Sequence, residues 1–251
     1  MSFLENRPSN FALFLFFRIF AIKIGKQMAK EISTLTVLYN TKIRNHEISL
    51  FRGAVLKSLG NKANVLYHNH TGEETYRYAY PLIQYKRLNG DAAIVCVEEG
   101  ADIIGQFLKE TSEPFMLGDR EVTFEVEKVM PEKTDVGVTE MPITYKLHQW
   151  LPLNSKNYEQ YKNTDELVEK IQILERVLAG NILSFLSGVG VYLDEKFDVH
   201  ITNITNQKLM TYKKVRLMAF DIEFKANLSL PSFVGIGKNA SIGNGVLIRQ
   251  S

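Results

Sequence analysis

The chain reads as an α+β protein: two tandem ferredoxin-like (βαββαβ) domains closed by a C-terminal glycine-rich loop. Three observations predict this. Periodic segments follow the order βαββαβ in the first half, the second half repeats that order less cleanly, and four glycines near the end stand in the pattern G-x-G-x5-G-x-G. A ferredoxin-like unit lays two helices on one face of a four-stranded antiparallel sheet. A length of 251 residues accommodates two such cores. The expected organisation is an N-terminal extension at 1–32, a first domain at 33–132 and a second at 133–251.

Residues 1–27 contain the run FALFLFF at 11–17, but Arg18 and Lys23 interrupt it short of the eighteen or so apolar residues a spanning helix needs. No small-residue cleavage site follows. A signal peptide and a membrane-surface helix are alternatives; the preferred reading is an overextended start, because Met28 opens MAKEISTLTVLY, an ordinary beginning for a soluble domain. Removing these residues takes away Arg7, Arg18, Lys23 and Lys26 against Glu5, and the formal charge moves from +2 to −1. A near-neutral core carries no global electrostatic footprint for nucleic acid, so any such site is a local patch.

From Met28 onward, residues 35–42 (LTVLYNTK) are β-rich, and 46–59 set Ile48, Phe51, Val55, Leu56 and Leu59 at helical spacing. After a polar loop holding His68 and His70, YPLIQYKR (80–87) and AAIVCVE (92–98) read as a hairpin around the Asn89-Gly90 turn signal. ADIIGQFLK (101–109) is an amphipathic helix, and EVTFEVEKV (121–129) alternates as a strand does. Residues 131–142, rich in charge and threonine between two prolines, read as the linker.

In the second half, ITYKLHQWLPL (143–153) is a first strand. A long helix at 165–186, capped by Thr164 or Asp165, carries Leu167, Ile171, Leu174, Leu178 and Ile182 along one stripe. Strands follow at about 197–205 and 215–230, and the glycine-rich loop leads into GVLIR (245–249). Glycines at this density imply that something lies closely against the loop. A phosphate-cradling P-loop is excluded, since Ser232 stands where its first glycine belongs and Asn239 where Ser or Thr must follow Lys238. Gly235, Gly237 and Ala240 fit a dinucleotide fingerprint only loosely, and too little chain remains for the βαβ unit it opens.

Composition is that of an ordinary globular protein, 45% apolar and 23% charged. The single cysteine, Cys96, lies in the apolar run AAIVCV and reads as a buried inert thiol. No intramolecular disulfide is possible, and a reducing cytoplasm is the natural compartment. No metal or other cofactor is expected: the paired histidines lack cysteines, and near them only Glu73 and Glu74 offer carboxylates.

The segments LFRGAVLKSLG (50–60), LYHNH (66–70) and YAYPLIQYKR (78–87), together with the glycine loop, resemble the RAMP superfamily. Within it they resemble the CRISPR-associated endoribonucleases that process precursor CRISPR RNA (pre-crRNA) inside its repeats. The resemblance covers the chain from about residue 33 to the end in element order. It implies a metal-independent endoribonuclease and makes CRISPR repeat RNA the expected partner. Other CRISPR effector subunits and a second copy of the chain, as a homodimer, are further candidates, and no membrane is expected.

Cutting RNA without metal needs a base to take the 2′-hydroxyl proton, an acid for the departing 5′-oxygen and cationic support for the phosphorane. The products are a 2′,3′-cyclic phosphate and a 5′-hydroxyl. Imidazole can serve either proton role near neutral pH. The resemblance puts the acid–base histidine in the loop of His68 and His70, which share a face if that segment is extended. Tyr67 and Arg77 are supporting candidates. Lys57 stands on the first helix where some relatives carry a tyrosine, and His46, just before that helix, is the weaker alternative, competing with a plain polar role near a helix N-terminus. His148 and His200 read as structural.

The resemblance also implies that the glycine loop, with Gly235, Gly237, Gly243 and Gly245, helps bind RNA. One ammonium, Lys238, can hold a phosphate together with backbone N–H groups. Lys208, Lys213, Lys214 and Arg216 form the densest cationic run, and Lys86 with Arg87 forms a second cluster. Two other classes stay open: a noncatalytic RNA-binding subunit of an effector complex, and a ferredoxin-like regulatory protein that binds a small ligand. The latter has no salt-dependent RNA affinity.

Overall fold

Strand β1 (Lys30–Lys42) runs through the centre of the first sheet, with β3 (Asp91–Val97) on one side and β6 (Val126–Trp150) on the other, both antiparallel. The computed structural model of the chain describes residues 29–60, 80–110, 114–212 and 215–250. After β1 the chain enters α1 (Ile48–Leu59) through a 3₁₀ turn, Asn45–Glu47. The carboxylate of Glu47 accepts the Arg44 N–H at 2.6 Å and pairs with Arg120 at 3.2 Å. Burial alone raises the Glu47 carboxyl, but these donors outweigh it and hold the group below the usual carboxylate range.

Ile48, Phe51, Ala54, Val55 and Leu59 form the buried face of α1, close to the stripe that spacing predicts. Phe51 sits among rings, 5.9 Å from Tyr39, 5.6 Å from Tyr85 and 4.6 Å from Phe124 between centroids. Strand β2 (Ile83–Leu88) turns into β3 at Asn89 and Gly90, both at positive φ (51° and 99°). That is the backbone a two-residue I′ hairpin demands. Helix α2 (Glu99–Glu110) and a short hairpin, β4 (Phe115–Leu117) and β5 (Arg120–Val122), lead to β6. The sheet order β2-β3-β1-β6 is that of a ferredoxin-like unit.

The expected linker at 131–142 is not a linker. It lies inside β6, a strand of 25 residues. Residues 126–136 pair with β1, and the pairing with the later strand β8 (Val215–Ser229) begins at Gly137. Pro131 stands opposite Leu35 with β1 beside it, and Pro142 falls where the β8 pairing breaks between Val138 and Ile143. Prolines and charges that look like linker chemistry here mark a strand with one edge unpaired among the described residues and a register break.

The second unit reuses the far half of β6. Helix α3 (Ser155–Asn163), capped by Asn154 accepting the Asn157 N–H at 2.8 Å, escapes periodicity because Tyr161 is its one buried residue. Helix α4 (Leu167–Gly188) starts later than expected. Thr164 donates instead to the Gln160 carbonyl, Glu166 occupies the cap position without a side-chain bond, and Leu167 is exposed while Leu174, Leu178, Ile182 and Phe185 are buried. Strands β7 (Val199–Tyr212), β8 (Val215–Ser229) and β9 (Val246–Arg249) complete a second ferredoxin-like sheet: β6 pairs with β9 and with β8, and β8 with β7. Where the second helix of the unit belongs, between β8 and β9, the chain runs through the glycine-rich segment.

Candidate nucleic-acid interface

The glycine-rich segment leaves its own sheet and wraps the edge of β2 in the first unit. Ile242 forms a parallel bridge with Tyr85, and the Tyr85 N–H donates to the Ser241 carbonyl at 2.9 Å. On one side of that edge, Gly235 and Ala240 lie against Lys86; on the other, Gly243 meets the side chain of Ile48 at the start of α1. What lies closely against the glycines is therefore the protein itself. A Cβ on Gly237 sits 2.8 Å from Asn181 Oδ1 and 3.0 Å from Trp150 Nε1, groups that are hydrogen-bonded to each other at 2.9 Å. Gly245, at φ +62°, packs on the backbone of Ile236 so closely that no side chain fits.

This packing buries four successive residues of β2, Ile83 to Lys86. The alternation of β2 puts Tyr85 against Phe51 of α1, while Gln84 and Lys86 point to the other face and meet the glycine segment. Gln84 Oε1 accepts the Gly235 N–H at 2.8 Å, and Lys86 Nζ donates to the Ala240 carbonyl at 2.7 Å. Tyr80 donates its hydroxyl to the Gly235 carbonyl at 2.9 Å and receives Gln84 Nε2 at 2.7 Å. Its ring packs on Phe185 of α4, 5.0 Å between centroids. Burial pushes the Tyr80 hydroxyl up and pulls the Lys86 amine down to about 7.

Lys238 projects into solvent from the turn between Gly237 and Asn239. Beneath it, Asn239 Nδ2 and Asn244 Oδ1 are buried without a hydrogen-bond partner among the described residues. Gly235, Gly243 and Gly245 are buried, so the ammonium of Lys238 is the accessible charge of this turn. Arg216 is exposed near the tip of the β7–β8 hairpin, and Lys208 stands further along on β7 opposite Ala219. Lys213 and Lys214 lie outside the described residues.

His68, His70, Tyr67 and Arg77 also lie outside the described residues; both flanks of their segment are described. It leaves Gly60, whose N–H closes α1 on the Leu56 carbonyl, and rejoins the chain at Tyr80. Lys57 is exposed in the last turn of α1, on the approach to that segment. His46 is exposed at the opposite end of the helix, about 16 Å away along the axis, too far for the two to share one phosphate. His148 is half-exposed with Nδ1 3.8 Å from Asp221, and His200 is exposed 3.9 Å from Glu175. Cys96 is buried.

One expectation fails. Lys86 and Arg87 do not form a cationic pair open to RNA, because Lys86 is fully buried and Arg87 donates to the Ile43 carbonyl at 2.7 Å. Sequence reading missed Tyr80, Gln84 and Lys86 as one network. Their alternation with Ile83 and Tyr85 is the ordinary signature of a half-exposed strand. Among the described residues, no three of His, Cys, Asp and Glu converge on a metal position, and no helix is long and apolar enough to cross a membrane.

A family model described as the Cas6b N-terminal domain matches residues 30–135, and one described as the Cas6b C-terminal domain matches residues 137–250. An uncharacterised protein of Methanocaldococcus jannaschii is 36% identical over 116 residues, covering 46% of this chain and 78% of that protein. A crystal structure of Cas6b superposes with a TM-score of 0.81 at 26% identity, over 88% of this chain and all of the other. A second structure, described as the CRISPR RNA processing endoribonuclease Cas6b, gives 0.66 at the same identity and coverage. A type IV Cas6 crRNA endonuclease, Csf5, shares the fold at 13% identity, TM-score 0.53, over 88% of this chain and all of that one. With its two halves matched in tandem along nearly all of its length, the chain belongs to the Cas6b family.

Proposed function

We propose that this chain is an endoribonuclease that cleaves CRISPR repeat RNA without metal, by attack of a 2′-hydroxyl on the adjacent phosphate. The observation that carries the reading is the match of both halves of the chain to Cas6b, a name that a similar solved structure couples to CRISPR RNA processing. His68 and His70 supply the general base and acid. Lys57, exposed at the end of α1, and Arg77 support the charge that builds on the phosphorane. Lys238 holds a phosphate of the repeat from the tip of the glycine turn, with Lys208, Lys213, Lys214 and Arg216 on the β7–β8 hairpin as a further cationic surface. The products are a 2′,3′-cyclic phosphate and a 5′-hydroxyl, and the setting is the cytoplasm, where Cys96 stays a free thiol.

The test is incubation of the full chain with labelled repeat RNA in EDTA, beside copies carrying a single 2′-deoxy substitution at each candidate position. One cut that survives EDTA and that one deoxy substitution abolishes is the expected result. His68→Ala and His70→Ala each slow cleavage by roughly 100-fold or more while leaving RNA affinity near that of the unaltered chain. Lys238→Ala weakens binding and lowers the slope of log affinity against log salt by about 1. Undiminished cleavage by the double histidine variant refutes the site. Tight binding without any cut makes the chain an RNA-holding subunit instead.

A further inference from the structure

The network on β2 goes unused in the mechanism above, yet it grips the glycine turn at both ends. Gly235 is held through both of its peptide groups, its N–H by Gln84 and its carbonyl by Tyr80, and Ala240 is held through its carbonyl by Lys86. Lys238 lies between those anchor points. All three anchoring side chains come from the first unit, whereas the turn belongs to the second. We propose that Tyr80, Gln84 and Lys86 are positioning residues that hold the glycine turn fixed against the edge of β2, so that a phosphate bound at Lys238 orients the repeat for cleavage at one phosphodiester.

This inference rests on the endoribonuclease reading. Its physical basis is the cost of the arrangement. A lysine buried with no carboxylate acting on it among the described residues is a poor choice for stability alone, because desolvation disfavours its charged form. Its four-carbon stem spans the distance from β2 to the Ala240 carbonyl, and it does so because Gly235 has no side chain: a Cβ there falls 2.6 Å from Lys86 Nζ. Gly235 and Lys86 are thus one device, a long donor and the gap that admits it. Gln84, accepting the Gly235 N–H, and Tyr80, donating to the Gly235 carbonyl, set the direction of the peptide groups at the other anchor point, and misplacing a bound substrate by about 1 Å can cost roughly 100-fold in rate.

The experiment compares the full chain with Lys86→Met and with Tyr80→Phe, which removes a single hydroxyl and leaves the ring on Phe185. Hydrogen exchange is read on the RNA-free proteins, and single-turnover cleavage and binding on labelled repeat RNA. In Lys86→Met, amides at 235–245 are expected to exchange faster while those of β1 and β3 do not change. The cleavage rate at saturating protein is expected to fall roughly 10- to 100-fold, with cuts spreading to neighbouring phosphodiesters and affinity falling by less than the rate. Tyr80→Phe is expected to show the same pattern more weakly. Unaltered rate and cut position in both variants overturns the positioning role. Rate and affinity falling together, in step with a loss of folded protein, also overturns it and leaves a structural contact only. If the unaltered chain binds the repeat but does not cut it, the endoribonuclease reading falls and the positioning role with it. Unchanged exchange at 235–245 in Lys86→Met overturns the clamp itself, whatever the RNA does.

Discussion

The two ferredoxin-like units differ most at the crossover to their last strands. The first carries its second helix, α2, before its last strand; the second crosses from β8 to β9 through the glycine-rich segment. A helix satisfies its own backbone and covers one face. The glycine segment satisfies only part of its own backbone, as in the Ile236 N–H to the Gly245 carbonyl and the Ile242 N–H to the Asn239 carbonyl, and further peptide groups are taken up by side chains and backbone of the other unit: Gln84, Tyr80 and Lys86, and the N–H of Tyr85. Replacing a helix by a loop thus turns a self-contained unit into one that depends on its neighbour. It also places an exposed lysine, Lys238, between Gly235 and Ala240, the two points that the first unit holds.

That contrast can be broken from the glycine side first. Gly245→Ala sets a Cβ into the Ile236 backbone at positive φ, and is expected to cost about 4 kcal/mol or more in denaturant unfolding. The next effect is electrostatic. Because burial lowers the Lys86 amine from 10.5 to about 7, the unfolded chain binds the extra proton between those values. Stability therefore rises with pH through that window and is lost as pH falls towards 7, by an amount on the order of a few kcal/mol. Lys86→Met is expected to flatten this slope in urea titrations at stepped pH; an unchanged slope places the charge elsewhere. The smallest effect sharpens the comparison from the helical side. Gly53 in α1 has open space around it, so Gly53→Ala is expected to stabilise by about 0.5–1 kcal/mol, against the large loss at Gly245.

Much of this fold is legible in the sequence because its signals are local. The Phe51 stripe, the Asn89-Gly90 turn, the alternation of β1 and the apolar run of β3 each occupy a short window. Residues 131–142 were misread because proline and charge mean the same thing in a linker and on an open strand edge, and only the pairing with β1 tells them apart. Helix α3 was missed because one buried tyrosine leaves no stripe. The site divides in the same way. His68 and His70 stand out as residue types suited to proton transfer, while the role of Lys86 depends on Ala240, 154 positions away. No window of sequence contains both.

Strand β6 has a mechanical consequence. Its first half closes one sheet and its second half opens the next, so the units share a backbone with no swivel between them. Rotating one against the other means twisting a hydrogen-bonded ladder and pulling the glycine segment off β2, so the expected scaffold is a stiff frame. Under the endoribonuclease reading, fit to an RNA then comes from side chains and connecting segments, and specificity for one repeat is that of a rigid template and not of a closing jaw.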